Sequence, residues 1–327
     1  FTTFLHPLEA ACVKLIPMPL IKSIHHWRIV WALSLLLLAQ VLSACQPQAN
    51  SNVPLATPTI HQHASATPIV TATATPLEST PTVRLYSPTP TPKSCMEKTG
   101  EILSEKIDSV FLKKPLSYYV YLPPCYQQQP TRRYPVLYLL HGQGFDDDQW
   151  IRMGVTDTAD QLISAKTIPP FIIVLPHDPD WRQPGEYGFE DAFLSELIPQ
   201  IDQQYRTLAE RSERAVGGLS RGAAWAVHLG LKDWQTFGAI GAHSLPVFWS
   251  DAPMIQGWLN AIPSEQIPRI YMDIGRSDRE LASAMEFENL LNLNNIPHEW
   301  HLFQGYHDEA YWSSHLSQYL EWYAQDW

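Results

Sequence analysis

The chain has 327 residues, 22 Lys plus Arg against 33 Asp plus Glu, and a net charge of −11. That balance argues against nucleic acid as the main partner, because phosphate binding needs a positive field. Hydrophobic residues make up 45% and charged residues 17%, which excludes wholesale disorder, and four Cys make no disulfide-dense scaffold.

In chain order, the first distinctive stretch is residues 29–44, an uncharged apolar run. It is short of the roughly 20 residues that span a bilayer. Lys22 and Arg28 precede it, and Leu42-Ser43-Ala44-Cys45 closes it. A basic start, an apolar centre and a small-residue end make a secretory signal. Its ending resembles a bacterial lipoprotein signal. That resemblance implies lipidation of Cys45, a lipid anchor in the membrane and an extracytoplasmic location. Met18 offers a normal start, so residues 1–17 are read as overhang and Cys12 has no role. Residues 46–94 are dominated by Thr, Pro, Ala and Ser, with Glu78, Arg84 and Lys93 as their charges. Such a stretch cannot bury enough apolar surface to offset ordering, so it is expected to be a disordered linker. The organisation read from sequence is therefore 1–45 overhang and signal, 46–94 linker and 95–327 folded domain. The acidic balance belongs to the last of these.

Within 95–327, short β-branched and aromatic runs predict strands at 118–122, 136–140, 171–175, 214–218, 237–241, 270–274 and 299–303. Helical spacing predicts helices at 156–165, 190–205, 221–231, 280–293 and 309–323. This alternation predicts an α/β fold, a mostly parallel central sheet with helices on both faces. An exported domain sits in an oxidising space, so Cys95 and Cys125 are expected to form a disulfide.

The chemistry gathers on three loops. Gly218-Leu219-Ser220-Arg221-Gly222 is a G-x-S-x-G turn between a predicted strand and a predicted helix, where a Ser hydroxyl is presented above a sheet. A Ser hydroxyl is a poor nucleophile until a base takes its proton and a carboxylate orients the base. In this kind of fold the chain order is Ser, acid, His. Asp278 and His307 fill that order, each on a loop just beyond the C-terminal end of a strand, where ligands collect. Asp251, on a Pro-rich loop, is the second candidate acid. Asp273 lies inside a strand, and Asp308 is too close in sequence to His307 to reach its far nitrogen. The oxyanion hole is assigned to the backbone N–H groups of Arg221 and Gln143, with Gly142 and Gly144 as alternatives to Gln143. His141 is read as support for that loop, His243 as packing, and Asp146 to Asp148 as a solvated acidic loop. No metal constellation and no dinucleotide or phosphate-loop pattern occurs, so no metal and no cofactor is expected.

The segments YPVLYLLHGQGFDDDQW, GGLSRGAAWA, DIGRSD and GYHDEAYW together resemble the esterase D and feruloyl-esterase-like family of the α/β-hydrolase superfamily. The likeness runs from about residue 118 to the C-terminus. It implies a serine carboxylic ester hydrolase, which the signal would place outside the cytoplasm, with Ser220, His307 and Asp278 as the triad and an acyl-enzyme intermediate. The implied partner is a small-molecule or glycan-linked ester, and the chain is expected to be monomeric. Acyl transfer to a carbohydrate acceptor and a non-catalytic binding lipoprotein are the alternatives. Arg221 and Ala223 depart from the Gly and Met common in the family. Arg221 is either a cation for acidic or sugar-linked substrates or a salt-bridged residue. Asp178, Trp181 and Glu186, with Trp249 and Trp258, lie on segments expected to overhang the site. Their rings either stack on a substrate or pack within an insertion.

Overall fold

A computed structural model describes residues 96–327. The signal, Cys45, the linker and Cys95 lie outside the described residues. The strand Val136–Leu140 shows how the rest is organised. Val136, Tyr138 and Leu140 join one apolar cluster, while Leu137 and Leu139 join another. Successive side chains in a strand point to opposite faces. This strand is therefore buried on both sides, which is why it reads as an unbroken apolar run.

Eight strands form the sheet: β1 (Glu101–Ser109), β2 (Lys114–Leu122), β3 (Val136–Leu140), β4 (Ile172–Pro176), β5 (Arg214–Leu219), β6 (Ala239–His243), β7 (Arg269–Gly275) and β8 (Glu299–Phe303). Their spatial order is β1-β2-β4-β3-β5-β6-β7-β8. The β1–β2 and β2–β4 pairs are antiparallel, and every later pair is parallel. The helices are α1 (Gln149–Arg152), α2 (Val155–Ser164), α3 (Phe189–Ala192), α4 (Ile198–Gln204), α5 (Arg221–Lys232), α6 (Ile255–Ala261), α7 (Leu281–Leu293), α8 (Glu309–Ser314) and α9 (Leu316–Ala324). Helix α5 packs its small residues into the first cluster, and α2 and α9 pack into the second. The expected α/β architecture is present.

Helices α1 and α6 were not expected from the sequence, and three further elements differ from it, each for a local reason. Strand β1 was not expected. Its sequence EILSEKIDS is half charged, and most of it is exposed or half-buried, as suits an edge strand that must not recruit another chain. The helix expected at 190–205 is instead α3 and α4 joined by a π turn, Phe193–Leu197. Pro199 opens α4, and it has no N–H to continue the preceding ladder. The closing helix breaks at His315. The Tyr311 carbonyl accepts from the Ser314 hydroxyl at 2.7 Å and lies 2.8 Å from His315 Nδ1. The His315 N–H turns instead to the Trp312 carbonyl at 3.1 Å. Side-chain competition of this kind ends a helix.

The turn between β5 and α5 brings backbones into unusually close contact. A Cβ on Gly218 would lie 2.3 Å from the Gly222 carbonyl carbon, and one on Gly222 would lie 2.1 Å from the Leu140 oxygen. Neither neighbour is a flexible side-chain tip. Gly222→Ala is therefore expected to destabilise the fold by about 1–3 kcal/mol, the usual range for forced overpacking. A fall of several degrees in the thermal unfolding midpoint would report it, and an unchanged midpoint would contradict this contact.

Candidate active site

Ser220 stands on that turn with φ 53° and ψ −124°, a backbone state that L residues rarely adopt and that clusters at functional sites. The hydrogen bond from its N–H to the His243 carbonyl, 2.8 Å, holds it there. Its carbonyl accepts from Ala223 at 2.8 Å and Ala224 at 3.1 Å, so α5 starts immediately after it. The Ser220 hydroxyl donates to His307 Nε2 at 2.9 Å. His307 Nδ1 donates to Asp278 Oδ1 at 2.8 Å.

These three residues meet because their loops are tied together. The N–H of Arg276 donates to the Phe303 carbonyl at 2.8 Å, and that of Ser277 to the Gly305 carbonyl at 3.0 Å. The loop after β7 is thereby fixed to the loop after β8. The Glu280 N–H donates to Asp278 Oδ1 at 2.8 Å. Burial alone raises the Asp278 carboxyl. The hydrogen bonds from His307 and Glu280, with help from the Ser244 hydroxyl, outweigh that effect and hold it below the usual carboxylate range. Asp278 is thus kept as an anion facing His307. Trp312 packs edge-on to the His307 ring at 5.1 Å and donates its Nε1 hydrogen to Ser244. Asp308 caps α8 through the Tyr311 N–H at 2.9 Å and takes no part in orienting His307.

A cavity of about 370 Å3 opens over Ser220 and His307. Gly142 and Gln143 line it from one side, with Phe145, Arg279 and Glu309 around them. Gly142 can be set aside as an oxyanion donor, because its N–H is given to Gln149 Oε1 at 2.8 Å. Gln143 lines the cavity next to Gly142, and Arg221 directly follows Ser220. Arg221 holds the first turn of α5, where a backbone N–H has no partner inside the helix.

The segment 109–323 matches the model of a protein family described as "Putative esterase". The chain belongs to this family. It is 36% identical over 133 residues to an endo-1,4-beta-xylanase/feruloyl esterase of Xylanibacter ruminicola, covering 37% of this chain and 18% of that protein. It is 28% identical over 242 residues to an esterase of Mycobacterium tuberculosis, covering 58% of this chain and 51% of that one. The chain thus spans about half or less of the length of these curated relatives. Among solved structures, a ferulic acid esterase superposes with a TM-score of 0.63 at 24% identity, covering 70% of this chain and 99% of that chain. The feruloyl esterase module from Clostridium thermocellum complexed with sinapinate gives 0.59 at 19% identity, covering 74% of this chain and 94% of that chain. At these identities the likeness establishes the α/β-hydrolase fold.

The other candidates of this esterase-family chain find partners elsewhere. Asp273 Oδ1 lies 2.6 Å from His243 Nδ1, and its Oδ2 accepts from the hydroxyls of Tyr311 at 2.5 Å and Tyr319 at 2.8 Å. That buried cluster supports the β6 and β7 ends. Asp251, the second candidate acid, lies 2.9 Å from His228 Nδ1 and not near His307. The Arg221 side chain is not a cation offered to substrate. It is buried, and its Nε donates to Asp178 Oδ2 at 2.7 Å. Trp258 packs against the core, whereas Trp181 and Trp249 are 66% and 71% exposed. Of the acidic loop, Asp147 accepts from the Ser117 hydroxyl and Asp148 pairs with Arg152. Gln149 and Arg279 were not singled out from sequence. The one visible signal was their adjacency to the acidic loop and to Asp278.

Glu190 reports on the second His–carboxylate group. Its partners are His228 at 3.3 Å and Lys232. Burial raises the Glu190 carboxyl, but these two cations outweigh it and hold the pKa at about 2, below the ordinary 4.5. A carboxyl held low in the folded state stabilises above its unfolded pKa and loses that contribution as pH falls through its folded pKa. Glu190→Gln is therefore expected to flatten the stability curve between about pH 4.5 and 2. Denaturant unfolding across that window checks it, and parallel curves for parent and variant would refute the pairing.

Proposed function

We propose that this chain is a serine carboxylic ester hydrolase working through an acyl-enzyme. One observation carries the reading: the unbroken hydrogen-bond chain from Ser220 through His307 to Asp278, on a strained turn beneath an open cavity. Ser220 Oγ attacks the ester carbonyl carbon while its proton passes to His307 Nε2. The carbonyl π pair moves to oxygen, and the N–H groups of Arg221 and Gln143 receive that oxyanion. Asp278 stabilises the resulting imidazolium and remains ionised. The carbon–oxygen bond to the leaving alcohol breaks as His307 returns its proton to that alcohol. Water then repeats the sequence on the acyl-Ser220 ester, giving the acid and the free hydroxyl.

The proposed substrate class is an ester with an aromatic acyl group. The names of the relatives, feruloyl and ferulic acid esterases, support it. So do Phe145 and Trp181, 41% and 66% exposed, the latter 3.9 Å from where a Cβ on Gly144 would stand. Hydrolysis of p-nitrophenyl acetate and of a methyl hydroxycinnamate should fall to background in Ser220→Ala. Asp278→Asn should lower kcat by about 10⁴-fold with the fold intact. Equal rates from folded parent and Ser220→Ala would end the proposal.

Export belongs to the same reading. The signal ending at Cys45 supports a lipid-anchored extracytoplasmic enzyme. A Cys95–Cys125 bridge is supported by Glu97, two residues from Cys95, whose Oε2 accepts from the Cys125 N–H at 2.9 Å. In a bacterial host, radiolabelled palmitate should label the full chain and should not label Cys45→Ser. Equal labelling of both would refute the anchor.

A further inference from the structure

A second polar chain connects the start of α5 with the loops after β3 and β4. Asp178 is its hub. Its carboxylate Oδ2 accepts from Arg221 Nε at 2.7 Å and from Trp225 Nε1 at 2.8 Å. Its Oδ1 accepts from the Tyr187 hydroxyl. Its backbone N–H donates to His141 Nε2 at 2.8 Å. His141 and the Asp178 side chain are both more than nine-tenths buried.

These contacts fix the state of His141. A nitrogen that accepts from an N–H carries no proton, so the ring proton sits on Nδ1. Nδ1 lies 2.8 Å from the Gly142 carbonyl oxygen and donates to it. Burial lowers the His141 pKa, which favours the neutral ring this arrangement needs. The Gly142 carbonyl is the other end of the peptide unit that carries the Gln143 N–H. A trans peptide is planar, so its C=O and N–H point in opposite directions. Holding the carbonyl on His141 therefore aims the Gln143 N–H away from His141. The preceding peptide unit is held by Gln149, which accepts from the Gly142 N–H, and the Gly142 carbonyl also accepts from the Phe145 N–H at 3.2 Å.

We infer that His141, braced by Asp178, is a positioning residue that aims the Gln143 N–H at the oxyanion. The inference rests on the serine-esterase reading above. It also links the two proposed donors. Asp178 binds the side chain of Arg221, whose N–H is one donor, and it anchors His141, which directs the other. The brace runs through the loop after β4, which contributes no reacting group.

The test compares full-chain His141→Phe and His141→Asn with the parent. Phe keeps the ring and its bulk but offers no donor. Asn places an amide N–H near the position of Nδ1. His141→Phe should lower kcat by about 10²-fold, the scale of losing one oxyanion donor, while KM stays within about threefold. His141→Asn should recover most of that loss. A His141→Phe kcat within about twofold of the parent, or no recovery in His141→Asn, overturns the brace. Parent turnover that does not depend on Ser220 overturns the brace together with the esterase reading, whereas Ser220-dependent turnover with an unaffected His141→Phe overturns the brace alone. Should both variants fail to fold, imidazole ¹⁵N shifts of the parent decide. A neutral Nδ1–H tautomer at His141 is expected, and an Nε2–H tautomer or an imidazolium at neutral pH overturns the inference.

Discussion

The site depends on one steric fact, the contact between the start of α5 and the ends of β3 and β5. Gly222 packs where a Cβ would stand 2.1 Å from the Leu140 oxygen, and Gly218 packs against Gly222 itself. The helix can begin this close to the sheet if the residue between them takes the turn in a single step, and Ser220 does so at φ 53°. The strain therefore sits on the serine, and the glycines are needed for approach. Neither glycine has a positive φ. The Ser220 hydroxyl and the Arg221 N–H take their places from this one contact.

Buried carboxylates make the second layer of the design. A desolvated carboxylate is costly unless hydrogen-bonded. Asp178, Asp251, Asp273 and Asp278 are all buried. Each has its own partner: Arg221, His228, His243 with two tyrosines, and His307. The pairs are not interchangeable, because Asp273 sits within β7 and the other three on separate segments of the chain. This separation is what leaves Asp278 to His307.

Legibility from sequence followed the range of the forces involved. The strand at 136–140 and the elbow were legible because burial on two faces and close backbone approach leave local marks: an apolar run, and glycines two residues either side of Ser220. Asp278 and His307 were legible because topology places strand ends together. The helix break at His315 was not, since it depends on which of several acceptors a side chain selects. The role of the Arg221 side chain was left open between substrate cation and ion pair. Its partner, Asp178, lies 43 residues earlier, and no local pattern carries that distance. Strand β1 was missed because an edge strand has one solvated face and thus a weak apolar signal.

The charges at the cavity mouth bear on what the proposed enzyme accepts. Glu309 receives hydrogen bonds from Gln149 at 3.1 Å and Arg152 at 3.4 Å. Asp308 is committed to capping α8. Arg279 pairs with Glu280 at 3.2 Å. The buried guanidinium of Arg221 is neutralised by Asp178. Among the described residues, the arginine that lines this cavity, Arg279, has a carboxylate neighbour in Glu280. Exposed rings and backbone N–H groups remain to do the recognising, and rings stack on flat apolar groups whatever their charge. On the proposed reading, this favours a neutral ester with a planar acyl group over an acidic one. In that reading, the negative charge created in the reaction would appear on the carbonyl oxygen, facing the proposed N–H donors.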